Sequence, residues 1–388
     1  MSTEEQLGRT LHERADGIDG PASGRPLTLG DVRGRARQIR RRQASGVAAG
    51  VALAAAVALP VALLGGTGPD GSEPSPAPSP THAVDPYDAG VPTLQDGVII
   101  YPDGPRIPLP GKLRDAADGF AVLGTDRYVV VSPTPNGERE ATLVDEVGRA
   151  LDRFPLYSGI TTGEGGTSVA WVAPDQTLHL LVAGSDEPRT IALGDVEPTQ
   201  TTAVTGDCAD ACTVAVRTAR GGDLGGTILV TSDGEVSDGP AAVPAIAAIS
   251  PNGSLIAGLD SVAEDDIHLC GGGYDVGVGD YVWRGCKDNT FDFSPGGALV
   301  ATSFGEGLGP RRVDLRDTHS GVSVAALNGG WISSYAWEDS THLLAVVVAE
   351  DGSTSLQRIS PDGPPETVLA GFATGSDDLS PPIILPFT

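Results

Sequence analysis

ISPNGSLIA, residues 249–257, returns as FSPGGALVA at 293–301 and, more worn, as WEDSTHLLA at 337–345. The step from Ser250 to Ser294 is 44 residues, and the step from Ser294 to Glu338 is 44 again. Each phrase is an apolar strand, a tight turn and a second apolar strand. Proline presets φ for a turn, and the Asn-Gly or Gly-Gly after it supplies the positive φ that a reversal demands. A unit of this length has room for about four strands, which is the period and make-up of a β-propeller blade.

Looser copies stand upstream. VAWVAPDQTLHLLVA turns around Ala173-Pro174-Asp175, AVTGDCADACTVAVR around Gly206-Asp207, and AVLGTDRYVVV around Thr125-Asp126. From Val91 onward, strand-length runs rich in Val, Ile, Thr, Leu and Tyr alternate with Gly, Asp, Pro and Asn turns, and no long stretch has helical period. Residues 91–388 are therefore predicted to be all-β. The six hairpins give six blades between about Asp118 and Gly371. Two strand candidates lie outside them, GVIIYPDG with RIPLPG at 97–111 and PPIILP near the C-terminus. Pairing of these ends would complete a seventh blade or close the ring by completing a shared one. Some 298 residues from Val91 to Thr388, at about 42 per blade, favour seven blades over six.

The S-P-[NG]-G-x-L-[VI]-A phrases resemble the F-S-P-D-G-x-x-L-A repeats of TolB-type and WD40-like bacterial β-propellers, over roughly Gly119 to Phe372. The resemblance implies an architecture more than a reaction. Asn252 and Gly296 stand where that family usually has Asp, and no copy carries the Trp-Asp ending of true WD40 repeats. The catalytic members of the family are not specifically implied.

Ahead of the repeats, residues 44–64 read ASGVAAGVALAAAVALPVALL, with no ionisable residue between Arg42 and Asp70. Twenty-one residues at about 1.5 Å each make roughly 31 Å of helix, close to the hydrocarbon thickness of a bilayer. Arg33, Arg35, Arg37, Arg40, Arg41 and Arg42 crowd its N-terminal side. The positive-inside bias predicts a single-pass anchor in the lipid bilayer, with residues 1–43 cytoplasmic and the C-terminal domain extracytoplasmic at the cell membrane. A cleaved signal is the competing reading, and a buried soluble helix a third. The long head and the lack of an A-x-A site after Leu64 argue against cleavage. Arg41-Arg42 is followed by Gln43 and Ala44, not by the bulky apolar residues of a twin-arginine signal. The head, 1–43, has too few large apolar side chains for a core and is expected to be disordered or partly helical. Residues 65–90 are rich in Pro, Gly and Ser and predict an extended spacer.

The formal net charge is −26. The head alone carries +3 and the remainder −29, so the body would repel nucleic acid, and no nucleic-acid partner is expected. Only Lys112 and Lys287 occur among the lysines, while Arg, Ala, Gly, Pro and Val abound, which points to a GC-rich, actinobacterium-like source. All four cysteines, Cys208, Cys212, Cys270 and Cys286, lie beyond the apolar segment, where disulfides persist. Nearest-neighbour pairing, Cys208 with Cys212 and Cys270 with Cys286, is the preferred one of three, each bridge pinning a loop.

No G-x-S-x-G elbow, H-E-x-x-H, P-loop or Rossmann fingerprint occurs. Gly271-Gly272-Gly273 reads as a flexible loop and Glu264-Asp265-Asp266 as a solvated one. His179, His268, His319 and His342 fall in different repeats, and Trp171, Trp283, Trp331 and Trp337 read as packing residues. No catalytic, cofactor-binding or metal-ligating residue is assigned. The expected role is a non-enzymatic, membrane-tethered binding or scaffold module for an extracytoplasmic protein, peptide or cell-wall ligand. A metal-dependent, lactonase-like propeller hydrolase and a single-pass signalling regulator are the alternatives.

Overall fold

The computed structural model describes residues 91–388 except 103, 220–223, 263–268, 287, 289, 306–309, 374–382 and 388. The expected head (1–43), anchor (44–64) and spacer (65–90) lie outside the described residues, as do His268 and Glu264-Asp265-Asp266. Among the described residues, no helix is long and apolar enough to cross a membrane.

The described chain folds as seven antiparallel sheets. Blade 2 is β4 (Gly119–Leu123), β5 (Arg127–Pro133), β6 (Arg139–Asp145) and β7 (Ala150–Leu156). Blade 3 is β8 (Ile160–Thr162), β9 (Ser168–Val172), β10 (Leu178–Val182) and β11 (Arg189–Ile191). Blade 4 is β12 (Pro198–Asp207), β13 (Ala211–Thr218), β14 (Gly226–Thr231) and β15 (Val236–Asp238). Blade 5 is β16 (Ala245–Ile249), β17 (Leu255–Val262), β18 (Leu269–Asp275) and β19 (Asp280–Gly285). Blade 6 is β20 (Thr290–Phe293), β21 (Leu299–Gly305), β22 (Pro310–Asp317) and β23 (Ser323–Asn328). Blade 7 is β24 (Trp331–Trp337), β25 (Leu343–Val348), β26 (Ser353–Ile359) and β27 (Glu366–Ala373).

Blade 1 draws on both ends of the domain. Its β1 (Thr93–Gln95), β2 (Val98–Ile100) and β3 (Arg106–Pro108) form three strands, and Ile384 supplies the fourth by bridging to Leu94. Two backbone hydrogen bonds hold that bridge: the Leu94 amide donates to the Ile384 carbonyl at 2.9 Å, and the Ile384 amide donates back at 3.0 Å. A four-residue helix, α1 (Leu113–Ala116), crosses from blade 1 to blade 2.

The buried apolar residues divide into seven clusters, and each lies between two successive blades. Leu180 and Ile191 of blade 3, for example, meet Val214 and Ile228 of blade 4. The series closes on itself where Ala336, Leu344 and Val346 of blade 7 pack with Ile100 of blade 1 and with Ile383 and Leu385. Seven sheets joined by seven cores make a closed seven-bladed β-propeller. Because the middle strands are covered on both faces, they lose the alternation of a half-exposed sheet: all five residues of β9 are buried, as are the first five of β25. The outermost strands carry the charge instead. β7 and β19 expose Asp152, Arg153, Asp280 and Arg284, which discourages edge-to-edge pairing.

Five of the six repeat phrases are the hairpin between a blade's first two strands; the sixth, around Ala173-Pro174-Asp175, turns instead between β9 and β10, the second and third strands of blade 3. Gly253 and Gly297 have φ of +70° and +71°, so the glycine that ends the turn in these two copies meets a backbone requirement. Ser250 and Ser294 are buried, and their hydroxyls accept from the amides of Leu255 (2.9 Å) and Leu299 (3.2 Å). The serine of the motif therefore caps an amide that the sheet ladder leaves unpaired.

One expectation is overturned. Gly271-Gly272-Gly273 is no loop; it is the buried middle of β18. A Cβ on Gly273 would stand 2.6 Å from the Trp283 indole nitrogen, and one on Gly271 2.0 Å from the Gly258 carbonyl oxygen. The run is glycine because neighbouring strands and an indole ring occupy the space of a side chain. Trp283 then reaches blade 6, donating from its indole nitrogen to the Thr318 carbonyl at 3.1 Å.

Both disulfides form in the nearest-neighbour pairing, Cys208–Cys212 and Cys270–Cys286. The first closes the turn between β12 and β13 and is buried within the core between blades 3 and 4. The second departs from the expected loop pin: it staples the start of β18 to the residue after β19, two strands that are already paired.

Candidate ligand-binding recess

The first strands of the blades line the axis of the ring. A cavity of about 1010 Å³ takes lining from every blade, including Leu385, Val122, Thr162, Thr202, Ala247 and Ser333. At one end, over blades 3 to 6, a second cavity of about 1110 Å³ shares Thr202, Ala247 and Phe291 with it and widens into a recess. The β13–β14, β17–β18 and β21–β22 connections leave from this rim, and 220–223, 263–268 and 306–309 within them lie outside the described residues.

The inner strands carry β-bulges at this lining. Pairing of β12 with β13 slips across Thr199 and again across Thr202; β16 slips at Ala247 and β24 at Ser333. All four extra residues line one or both cavities. A bulge breaks the inward-outward alternation of a strand and re-aims a side chain, here toward the axis.

Arg217 is the only ionisable side chain among the described residues of the recess wall. This is notable in a chain whose Asp and Glu outnumber Lys and Arg by 51 to 25. Arg217 is the last residue but one of β13, and its cross-strand partner on β12 is Gln200, which puts both side chains on one face of the sheet at the recess. Five arginines among the described residues are half-buried. Arg127, Arg139, Arg316 and Arg358 each pair with a carboxylate, Asp186, Asp118, Asp288 and Glu338 respectively. Arg217 pairs with none among the described residues, and its Nε is sealed from solvent without a hydrogen-bond partner. Burial pushes its pKa below the ordinary arginine value, yet a guanidinium keeps its proton at neutral pH. Exposed arginines nearby are neutralised locally: Arg284 grips Asp260 through two bonds of 2.5 and 2.7 Å, and Arg312 grips Asp314 in the same way.

Around Arg217 the wall is mixed. Thr199, Thr218 and Thr290 supply hydroxyls, and Leu224, Val262 and Leu269 supply apolar surface. The Thr199 hydroxyl donates to the Arg217 carbonyl at 3.2 Å, which ties the strand end in place. Such a wall sets one charged group and several hydroxyls beside apolar surface.

The residues singled out by sequence do not gather here. His179 sits in blade 3 against Trp171, with ring centroids 5.3 Å apart, and burial lowers its pKa. His319 and His342 occupy turns of blades 6 and 7. Trp171 and Trp337 are core residues, as expected, while Trp283 and Trp331 are half-buried. All four cysteines are consumed in disulfides, so none offers a thiolate. Sequence reasoning missed Arg217 and Gln200. The available signal was an arginine near the end of the otherwise uncharged run CTVAVRT.

No family model matches the chain, and no curated protein matches it. Among solved structures the chain is similar to a putative TolB from Agrobacterium tumefaciens, at 13% identity and a TM-score of 0.41, with 58% of this chain and 84% of that one covered. The seven sheets and the seven cores between them are what make this chain a β-propeller.

Proposed function

We propose that this chain is a membrane-tethered propeller that stands outside the cytoplasm and binds a protein, peptide or cell-wall ligand in its axial recess, without transforming it. The observation that carries the binding role is the recess itself: about 1110 Å³ of concave space, walled by threonine, glutamine, arginine and apolar side chains on a ring fixed by seven cores. Ligand sites of globular proteins have this size, this mixture and this preformed character. The tether rests on residues 44–64, the arginines before them and the proline-rich stretch after them.

A photo-crosslinking amino acid at Thr202, in the axial wall, tests the reading in native membranes. Its control is the same group at Val278, 76% exposed on the turn between β18 and β19. A discrete adduct from Thr202 and none from Val278 is the expected result. No adduct at Thr202, or equal labelling from both positions, overturns it. Protease added to intact cells should degrade residues 91–388 only if they face outward.

A further inference from the structure

We propose that Arg217, with Gln200 beside it, captures the carboxylate of a ligand whose apolar remainder packs against Leu224, Val262 and Leu269. The inference rests on the binding reading above and names what the recess recognises. Its basis is an uncompensated charge. A half-buried guanidinium with no carboxylate beside it among the described residues is costly to keep, whereas an ion pair to one is favourable when both partners are partly desolvated. Every other half-buried arginine described in this chain has such a carboxylate in place. Among the described residues Arg217 lacks that partner, and it lines an open cavity from which one can enter.

The chemistry narrows the ligand. A guanidinium presents paired donors in a fork that matches a planar carboxylate. The Gln200 amide adds a further donor on the same face of the sheet. One cation compensates one negative charge, and a dianion would meet a body of net charge −29 with half its charge unanswered. Three apolar side chains beside the arginine call for a hydrocarbon segment joined to the carboxylate. Two sources supply this group, the C-terminus of a peptide with apolar last residues and a small aliphatic acid.

Calorimetric titration of the purified full chain distinguishes them. The probes are the tripeptide Ala-Leu-Leu with a free C-terminus, the same peptide amidated, hexanoate and hexanamide. The free acids should bind at least tenfold more tightly than their amides, and the preference should shrink as salt rises. Tight binding of the peptide alone assigns the recess to chain ends, and equal binding of hexanoate assigns it to small acids. Arg217→Gln should lose at least tenfold in affinity for the acid with no fall in melting temperature, and Arg217→Lys should recover part of it. Equal affinity for acid and amide, no binding of any probe, or full binding by Arg217→Gln overturns the inference. If Arg217→Gln still forms the Thr202 adduct as well as wild type, the carboxylate is wrong and the binding site stands. If wild type forms none, the binding site itself falls.

Discussion

The ring is fastened by residues 383–385, and loosening them should cost more than their number suggests. Ile383 is fully buried and Leu385 nearly so, and both fill the core between blade 7 and blade 1. Truncating a buried Ile or Leu to Ala costs about 2–5 kcal/mol through lost transfer energy and the cavity left behind. The two side chains share one cluster, so their effects will not add fully, and roughly 4–8 kcal/mol is expected for Ile383→Ala with Leu385→Ala. The total stability of a protein is about 5–15 kcal/mol, so the double variant should be close to unfolding at room temperature. The backbone bonds between Leu94 and Ile384 would remain available, which makes this a test of the packing alone. Urea unfolding of the full chain, followed by tryptophan fluorescence, reads the loss. Leu180→Ala, between blades 3 and 4, serves as a control of equal burial away from the seam. A double variant within about 1 kcal/mol of wild type, with the control destabilised as usual, would refute the claim that these residues fasten the ring.

Gly273→Ala should destabilise by about 1–3 kcal/mol and alter tryptophan emission, because the new methyl displaces the Trp283 indole from its bond to Thr318; unchanged emission would count against the packing account. Arg217→Met should leave unfolding free energy unchanged or raise it by about 1 kcal/mol, since a charge without a partner is removed and the stem is kept; a loss above about 1 kcal/mol would show that the arginine serves the fold. Acidification should weaken the domain between about pH 4 and pH 2. Partial burial pushes the Asp339 carboxyl up, but the amides of Thr341 and His342 outweigh it and hold the pKa at about 2. A carboxylate depressed below its unfolded value contributes its stability above about pH 4 and loses it as the pH falls through the folded value. Melting temperatures from pH 5 to pH 2 should show a slope that is shallower in Asp339→Asn.

The blades were legible because their hairpins carry turn chemistry at a fixed period. Ser-Pro-Asn-Gly and Ser-Pro-Gly-Gly each set a turn that the backbone adopts, and six of the seven sheets could be counted from such phrases. The seventh could be counted only by length, since Leu94 and Ile384 carry no turn between them. Gly271-Gly272-Gly273 was misread because glycine has two physical uses, permitting unusual φ and permitting close approach, and a sequence does not say which is in force. The recess was less legible still. Thr199, Thr202, Ala247 and Ser333 reach the axis through bulges, and a bulge is a feature of pairing between strands that no single strand declares. Arg217 became conspicuous only once the carboxylate partners of the other half-buried arginines were visible.

The bridge between Leu94 and Ile384 joins residues 290 positions apart, so the first sheet waits for all six other blades to be made. Until the tail arrives, the backbone groups of Leu94 and the flank of the seventh sheet have nothing to rest on. Contacts this distant in sequence form late, and partly assembled chains with open sheet edges associate with one another. Nascent copies of this domain are thus most exposed to mispairing until the segment around Ile384 has emerged, and shielding in that interval should decide its yield.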